Sequence, residues 1–123
     1  FFRPDYAPPG PILGAGLTAP EFQITHETTL TGYSNFMSYA SERGFGGKIL
    51  PNYAPYEAIA DNAETLLSRL NIELMAGQMS DATKQTITGV MNTLPVTLAN
   101  ARKLRVWQAV FLVMTSPEYV VQR

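Results

Sequence analysis

The chain of 123 residues sets Lys+Arg 9 against Asp+Glu 10, a formal net charge of −1 at pH 7, with hydrophobic residues at 46% and charged residues at 15%. That balance argues against a nucleic-acid binder, which replaces phosphate counterions with a basic excess, and the absence of Cys removes disulfides, thiolate chemistry and cysteine-ligated zinc together. The longest apolar run, VWQAVFLVM over 106–114, is far short of the ~20 residues that a bilayer span needs, so no transmembrane helix is expected.

The length is that of one ordinary domain, enough to bury a core. Charged residues average about 25% of a soluble domain, so this surface is short of charge. Either much of it is covered by something else, or Thr, Asn, Ser and Gln do the solvating. The first is preferred, because uncovered apolar surface aggregates.

Residues 1–17 show no apolar periodicity. Pro4, Pro8, Pro9 and Pro11 remove backbone donors and fix φ, which predicts an extended, Pro/Gly-rich N-terminal ribbon. Phe1, Phe2, Tyr6, Ile12 and Leu13 in that ribbon want burial. Helix signals begin at LTAPE: Thr18 is the expected N-cap, with Pro20 in the first turn and Glu21 at the capping-box position. The helical pattern continues to about Arg43 through Leu30, Tyr33, Phe36, Met37 and Ala40, with a break near Thr25 to Glu27, where β-branched residues crowd. Gly44 ends this helix, and GFGGKILPNYAP reads as an irregular loop.

Asp61 and Glu64 then form a second expected capping box, followed by an apolar stripe at Leu66, Leu67, Leu70, Leu74 and Met75, with Gly77 as the C′ residue. Ser80 and Asp81 restart a helix through Ile87, Val90 and Met91, which should stop at Leu94 before Pro95. A final long helix is expected from about Val96 to Thr115, with Trp107, Phe111 and Met114 in the core. Ser116-Pro117-Glu118 caps a last short turn. No alternating strand is evident. The expected fold is all-α: four to five helices around one core over 18–123, preceded by the ribbon over 1–17.

Candidate chemistry is sparse. His26 is the single histidine, and Glu21 lies five residues away, off the shared helical face; with no Cys beside it, this is a poor ligand set. No G-x-S-x-G occurs, and Glu57, Asp61 and Glu64 are accounted for as helix-start carboxylates. GFGGK over 44–48 fails as a phosphate loop, since Ile49 follows the lysine and a helix precedes. The cluster Arg102, Lys103 and Arg105 reads as a solvated face. No catalytic, metal-binding or cofactor-binding residue is assigned and no cofactor is expected.

Three phrases, FFRPDYAPPGPILGAGLTAPEFQI, LLSRLNIELMAGQMSDATKQTI and RVWQAVFLVMTSPEYVVQR, resemble in order the C-terminal part of a bacterial family called domain of unknown function eighteen hundred. MTSPEY and LTAPEFQI are the most specific pieces, with LMAGQMS in support. The resemblance implies a longer, mainly helical protein, exported to the bacterial periplasm or cell exterior. It implies that this chain starts inside a longer element and lacks the N-terminal bulk. The family carries no established catalytic residues.

The function expected from these readings is structural. The chain acts by packing on a protein, either the rest of its own chain or a partner subunit, through Phe1, Phe2, Tyr6, Ile12 and Leu13 in the ribbon and Tyr53 and Tyr56 in the loop. Mixed aromatic and Pro composition suits an interface that orders a ribbon at low entropic cost. Two other classes stay open. One is an enzyme whose active site, with His26 and Glu27 or Asp5, is completed by absent sequence. The other is an accessory subunit of a membrane-associated complex, attached through the apolar last helix.

Overall fold

The computed structural model describes residues 3–95 and 100–120. Among these the elements are α1 (Pro11–Gly14), a 3-10 turn (Pro20–Gln23), α2 (Glu27–Arg43), α3 (Ala54–Glu57), α4 (Ala63–Met75), α5 (Asp81–Thr93), α6 (Ala101–Met114) and α7 (Pro117–Val120). The fold is all-α, with four long helices and no strand among the described residues. The chain divides into two compact units, Phe1–Phe36 and Met37–Arg123.

In the first unit the ribbon is not extended throughout. Pro11, pre-set at a helical φ, occupies the start of α1, and one turn forms there. Thr18 does not cap the next element. A residue before proline is pushed out of the α region, and Ala19, at φ −145, takes the position ahead of Pro20 with no side-chain cap. Gln23 holds the start of the chain: its Oε1 accepts from Arg3 N at 3.0 Å, and its Nε2 donates to Arg3 O at 2.7 Å. The break expected near Thr25 to Glu27 is present between the 3-10 turn and α2. Thr29 Oγ1 organises it, accepting from His26 N at 2.8 Å and donating to Ile24 O at 2.8 Å.

The second unit holds the core. Leu66, Leu67, Leu70, Met91, Val106 and Val113 are the largest fully buried side chains, joined by Ala60, Ala63, Met75, Met79, Ile87, Ala109 and Val110. Each large member contributes about 1.5–3 kcal/mol by leaving water. They come from α4, α5, α6, the segment before α4 and, at Met79, the segment between α4 and α5, which form one cluster. Ser80 caps α5 by accepting from Thr83 N, and the helix ends at Leu94 before Pro95. α7 starts at Pro117, with Ser116 Oγ accepting from Tyr119 N at 3.2 Å.

Several local expectations shift. Asn62, not Asp61, caps α4, its Oδ1 accepting from Thr65 N at 3.0 Å. At the other end of α4 the expectation holds: Ala76 is the C-cap, left-handed at φ 51, and Gly77 is the C′ residue at φ 81. A short helix, α3, begins at the end of the stretch read as irregular loop and runs two residues beyond it, with Pro55 in its first turn. The last helix is described from Ala101; residues 96–99 of its expected range lie outside the described residues. Its phase also differs. Val106, Ala109, Val110 and Val113 face the core, while Trp107, Phe111 and Met114 are only half-buried. A helix apolar on nearly every side has no periodicity to fix which side goes in.

Candidate interaction surface

Phe1 and Phe2 lie outside the described residues. Tyr6, Ile12 and Leu13 fall in the first unit, Tyr53 and Tyr56 in the second. Tyr6 is half-buried and its carbonyl accepts from Ala19 N at 2.8 Å, tying the ribbon to the residue ahead of the 3-10 turn. Ile12 is half-buried, and Leu13 is 56% exposed.

Tyr53 and Tyr56 pack together against the core cluster, and both hydroxyls are engaged. Tyr53 OH donates to Ser41 O at 2.6 Å, and Tyr56 OH donates to Glu73 Oε2. Glu73 also accepts from Arg69 Nε at 2.9 Å, and the Arg69 guanidinium lies 4.9 Å from the centre of the Tyr56 ring. The bonds from Tyr56 and Arg69 hold the Glu73 carboxyl below the usual carboxylate range. Donating to that carboxylate raises the Tyr56 hydroxyl, and burial raises Tyr53. These two tyrosines anchor α3 to α2 and α4.

A display of apolar residues missed in the sequence lies between α2 and α3. Gly44 ends α2, its N–H donating to Ala40 O at 2.8 Å, and the chain turns back so that Phe45 and Ile49 exchange backbone bonds of 2.8 and 3.1 Å. Gly44, Gly46 and Gly47 all have positive φ, at 76, 60 and 67. At Gly44 space as well as φ requires glycine, because a Cβ would sit 2.0 Å from Ile49 O. The resulting turn holds out Ile49, 67% exposed, and Leu50, 70% exposed, beside the exposed Phe45. The apolar stripe of α2 is also poorly covered. Leu30 is 53% exposed and Phe36 is exposed, Tyr33, Met37 and Ala40 are half-buried, and the buried residue of this helix is Ser41. The signal in the sequence was G-F-G-G-K-I-L itself: three glycines among three large apolar residues mark a turn.

The remaining candidates resolve into structure. His26 is exposed, its backbone N–H engaged by Thr29, and no group of three or more His, Asp or Glu capable of holding a metal occurs among the described residues. Asp61 is not a cap but an ion-pair partner: Arg102 Nε donates to its Oδ1 at 3.0 Å and Nη2 to Oδ2, which lowers its carboxyl. Glu64 lies in the first turn of α4, 3.7 Å from Lys84 Nζ, and Glu57 within α3. The basic cluster is not a uniformly solvated face. Arg105 is 3% exposed and donates to the carbonyls of Ala60 and Met91 at 2.8 Å and Leu94 at 3.3 Å. α6 contributes five buried apolar residues to the second unit, and no helix among the described residues is long and apolar enough to cross a membrane.

Compared with models of protein families, with curated proteins and with solved structures, the chain finds no match.

Proposed function

We propose that this chain is a non-catalytic packing segment: the helical C-terminal part of a larger exported bacterial protein, covered in its native setting by the rest of that protein or by a partner subunit. The observation that supports it most is the display of Ile49 and Leu50 on a turn whose backbone is fixed by Gly44, Gly46 and Gly47. Large apolar side chains held out in water on a turn gain by burial against another surface, which removes them from solvent. Exposed Leu13, Leu17 and Ile24 in the first unit, and the low charge of the whole chain, support the same reading. The resemblance to the family of unknown function supplies the larger protein and its export to the periplasm or cell exterior. Tyr53 and Tyr56 serve this surface from behind, by fixing the elements on either side of the turn.

The isolated 123-residue chain is expected to light up a hydrophobic dye such as anilinonaphthalene sulfonate and to self-associate in sedimentation velocity. Combining Ile49→Ser with Leu50→Ser should lower both signals while leaving the helical circular dichroism unchanged. A chain that is monomeric, unfolds cooperatively and leaves the dye dark would overturn the reading.

A further inference from the structure

We propose that a cavity in the second unit, between the end of α2 and the first turns of α6, binds a small organic anion that joins one carboxylate to a flat apolar body. The cavity has a volume of about 310 Å³ and is lined by Glu42, Arg43, Tyr53, Lys103, Leu104 and Trp107, with Asn100 at its edge. That volume is at the small end for ligand pockets, which run from about 300 to 1,000 Å³, and suits a single ring with a short acidic arm.

Its apolar lining is already oriented. Trp107 Nε1 donates to Ser38 O at 3.3 Å and Tyr53 OH to Ser41 O at 2.6 Å, so both rings are tethered at their polar ends and offer their remaining surface to a guest. Leu104 completes an apolar lining that a flat ring can cover without reordering the side chains beneath it.

Charge selects the other half of the ligand. The lining holds two cations, Arg43 and Lys103, and one carboxylate, Glu42; Glu42 lies 3.6 Å from Arg43 Nε, and the Arg43 guanidinium also lies 5.9 Å from the centre of the Tyr39 ring. Lys103 makes no ion pair among the described residues. A ligand carboxylate meets that ammonium at the rim while its ring lies against Trp107. A ligand cation would bring a third positive charge to the same rim, and a neutral ligand would gain no charge-assisted bond from Lys103. Asn100, whose side chain makes no capping bond to α6, adds an amide donor at the same edge.

Trp107 is the single tryptophan of the sequence, so its emission reports this cavity without interference. Titration of the 123-residue chain with phenylacetate is expected to give a saturable change in that emission. Lys103→Gln, at an exposed position, should weaken the apparent Kd about threefold, the loss typical of an exposed ion pair. Phenylacetamide, acetate and tetramethylammonium should give no saturable change over the same range. The proposal is overturned if phenylacetate gives no saturable change, if phenylacetamide or tetramethylammonium matches it, or if Lys103→Gln binds as tightly as the parent.

Discussion

Arg105→Met removes the guanidinium that joins three parts of the second unit. Arg105 is almost fully buried, and its three donated bonds reach Ala60 O ahead of α4, Met91 O in the last turn of α5 and Leu94 O at its C-cap. The last two carbonyls sit at the negative end of the α5 dipole, where a cation is favoured. Hydrogen bonds to a charged group contribute about 1.5–3 kcal/mol each, so two at 2.8 Å and a longer third hold roughly 4–7 kcal/mol gross. Against this stands the desolvation of a buried guanidinium, itself several kcal/mol. Met retains much of the volume of the apolar stem, which keeps the cavity contribution small. The net loss expected is about 2–4 kcal/mol, a large part of the 5–15 kcal/mol that stabilises a typical domain. Urea unfolding, followed by circular dichroism and by Trp107 emission, should show the midpoint falling at unchanged slope. Arg105→Lys, which keeps the charge but not the fork, should lie between the two. If Arg105→Met unfolds within ~0.5 kcal/mol of the parent, an ordinary surface effect, the carbonyl-tying role is wrong.

Gly44→Ala places a Cβ against Ile49 O at a left-handed φ. It should cost about 2 kcal/mol or more in urea unfolding, and the nuclear magnetic resonance shifts of residues 45–50 should move far more than those of α5. Glu118 accepts from Ser80 N at 2.9 Å, Ser80 Oγ at 2.6 Å and Thr83 Oγ1 at 2.9 Å, tying α7 to the N-terminus of α5. Glu118→Gln keeps the shape and loses the charge, for an expected thermal destabilisation equivalent to about 1 kcal/mol. The carboxyls of Asp61, paired with Arg102, and Glu73, bonded by Tyr56 and Arg69, are depressed in the folded chain, so the unfolded chain binds more protons as the medium acidifies. Their stabilisation is present above the ordinary carboxylate range and is lost as pH falls through it; Arg102→Met should flatten that acid limb in a series of urea midpoints. At the alkaline end the sign reverses: the hydroxyls of Tyr53 and Tyr56 are raised from 10.0, so their contribution falls away as pH rises beyond it.

Local chemistry was readable wherever a short-range signal had no competitor. Ser80 ahead of α5, Leu94 before Pro95 and Ser116-Pro117 at the start of α7 sit where their side chains or ring geometry dictate. The break before α2 follows from threonines whose hydroxyls compete for backbone groups, as Thr29 does. Long-range partners were not readable. Nothing in RKLR separates Arg102, paired at the surface with Asp61, from Arg105, which enters the core; only the packing of α6 against the end of α5 distinguishes them. Asp61 and Asn62 are both good N-caps, and the choice fell to Asn62 because Asp61 has Arg102 as a partner 41 residues away. Glu118 likewise reaches Ser80 across 38 residues. The turn at 44–50 carries its signal in Gly44, Gly46 and Gly47, whose positive φ a turn requires. The outward direction of Ile49 and Leu50 depends on the contact of Gly44 with Ile49 O, which composition alone does not show.

The packing claim is tested most directly by thiol labelling, since the chain has no cysteine of its own. A single thiol is introduced by Ile49→Cys, or by Gln85→Cys at an exposed polar position on α5 as reference. In the isolated chain, diluted until sedimentation shows it monomeric, the two should label at similar rates. In the native protein that carries this segment, labelling at position 49 should slow about tenfold or more relative to position 85, as burial restricts reagent to opened states. Equal rates at both positions in the native protein would mean that the turn stays in water, and that the chain does not work by packing through it.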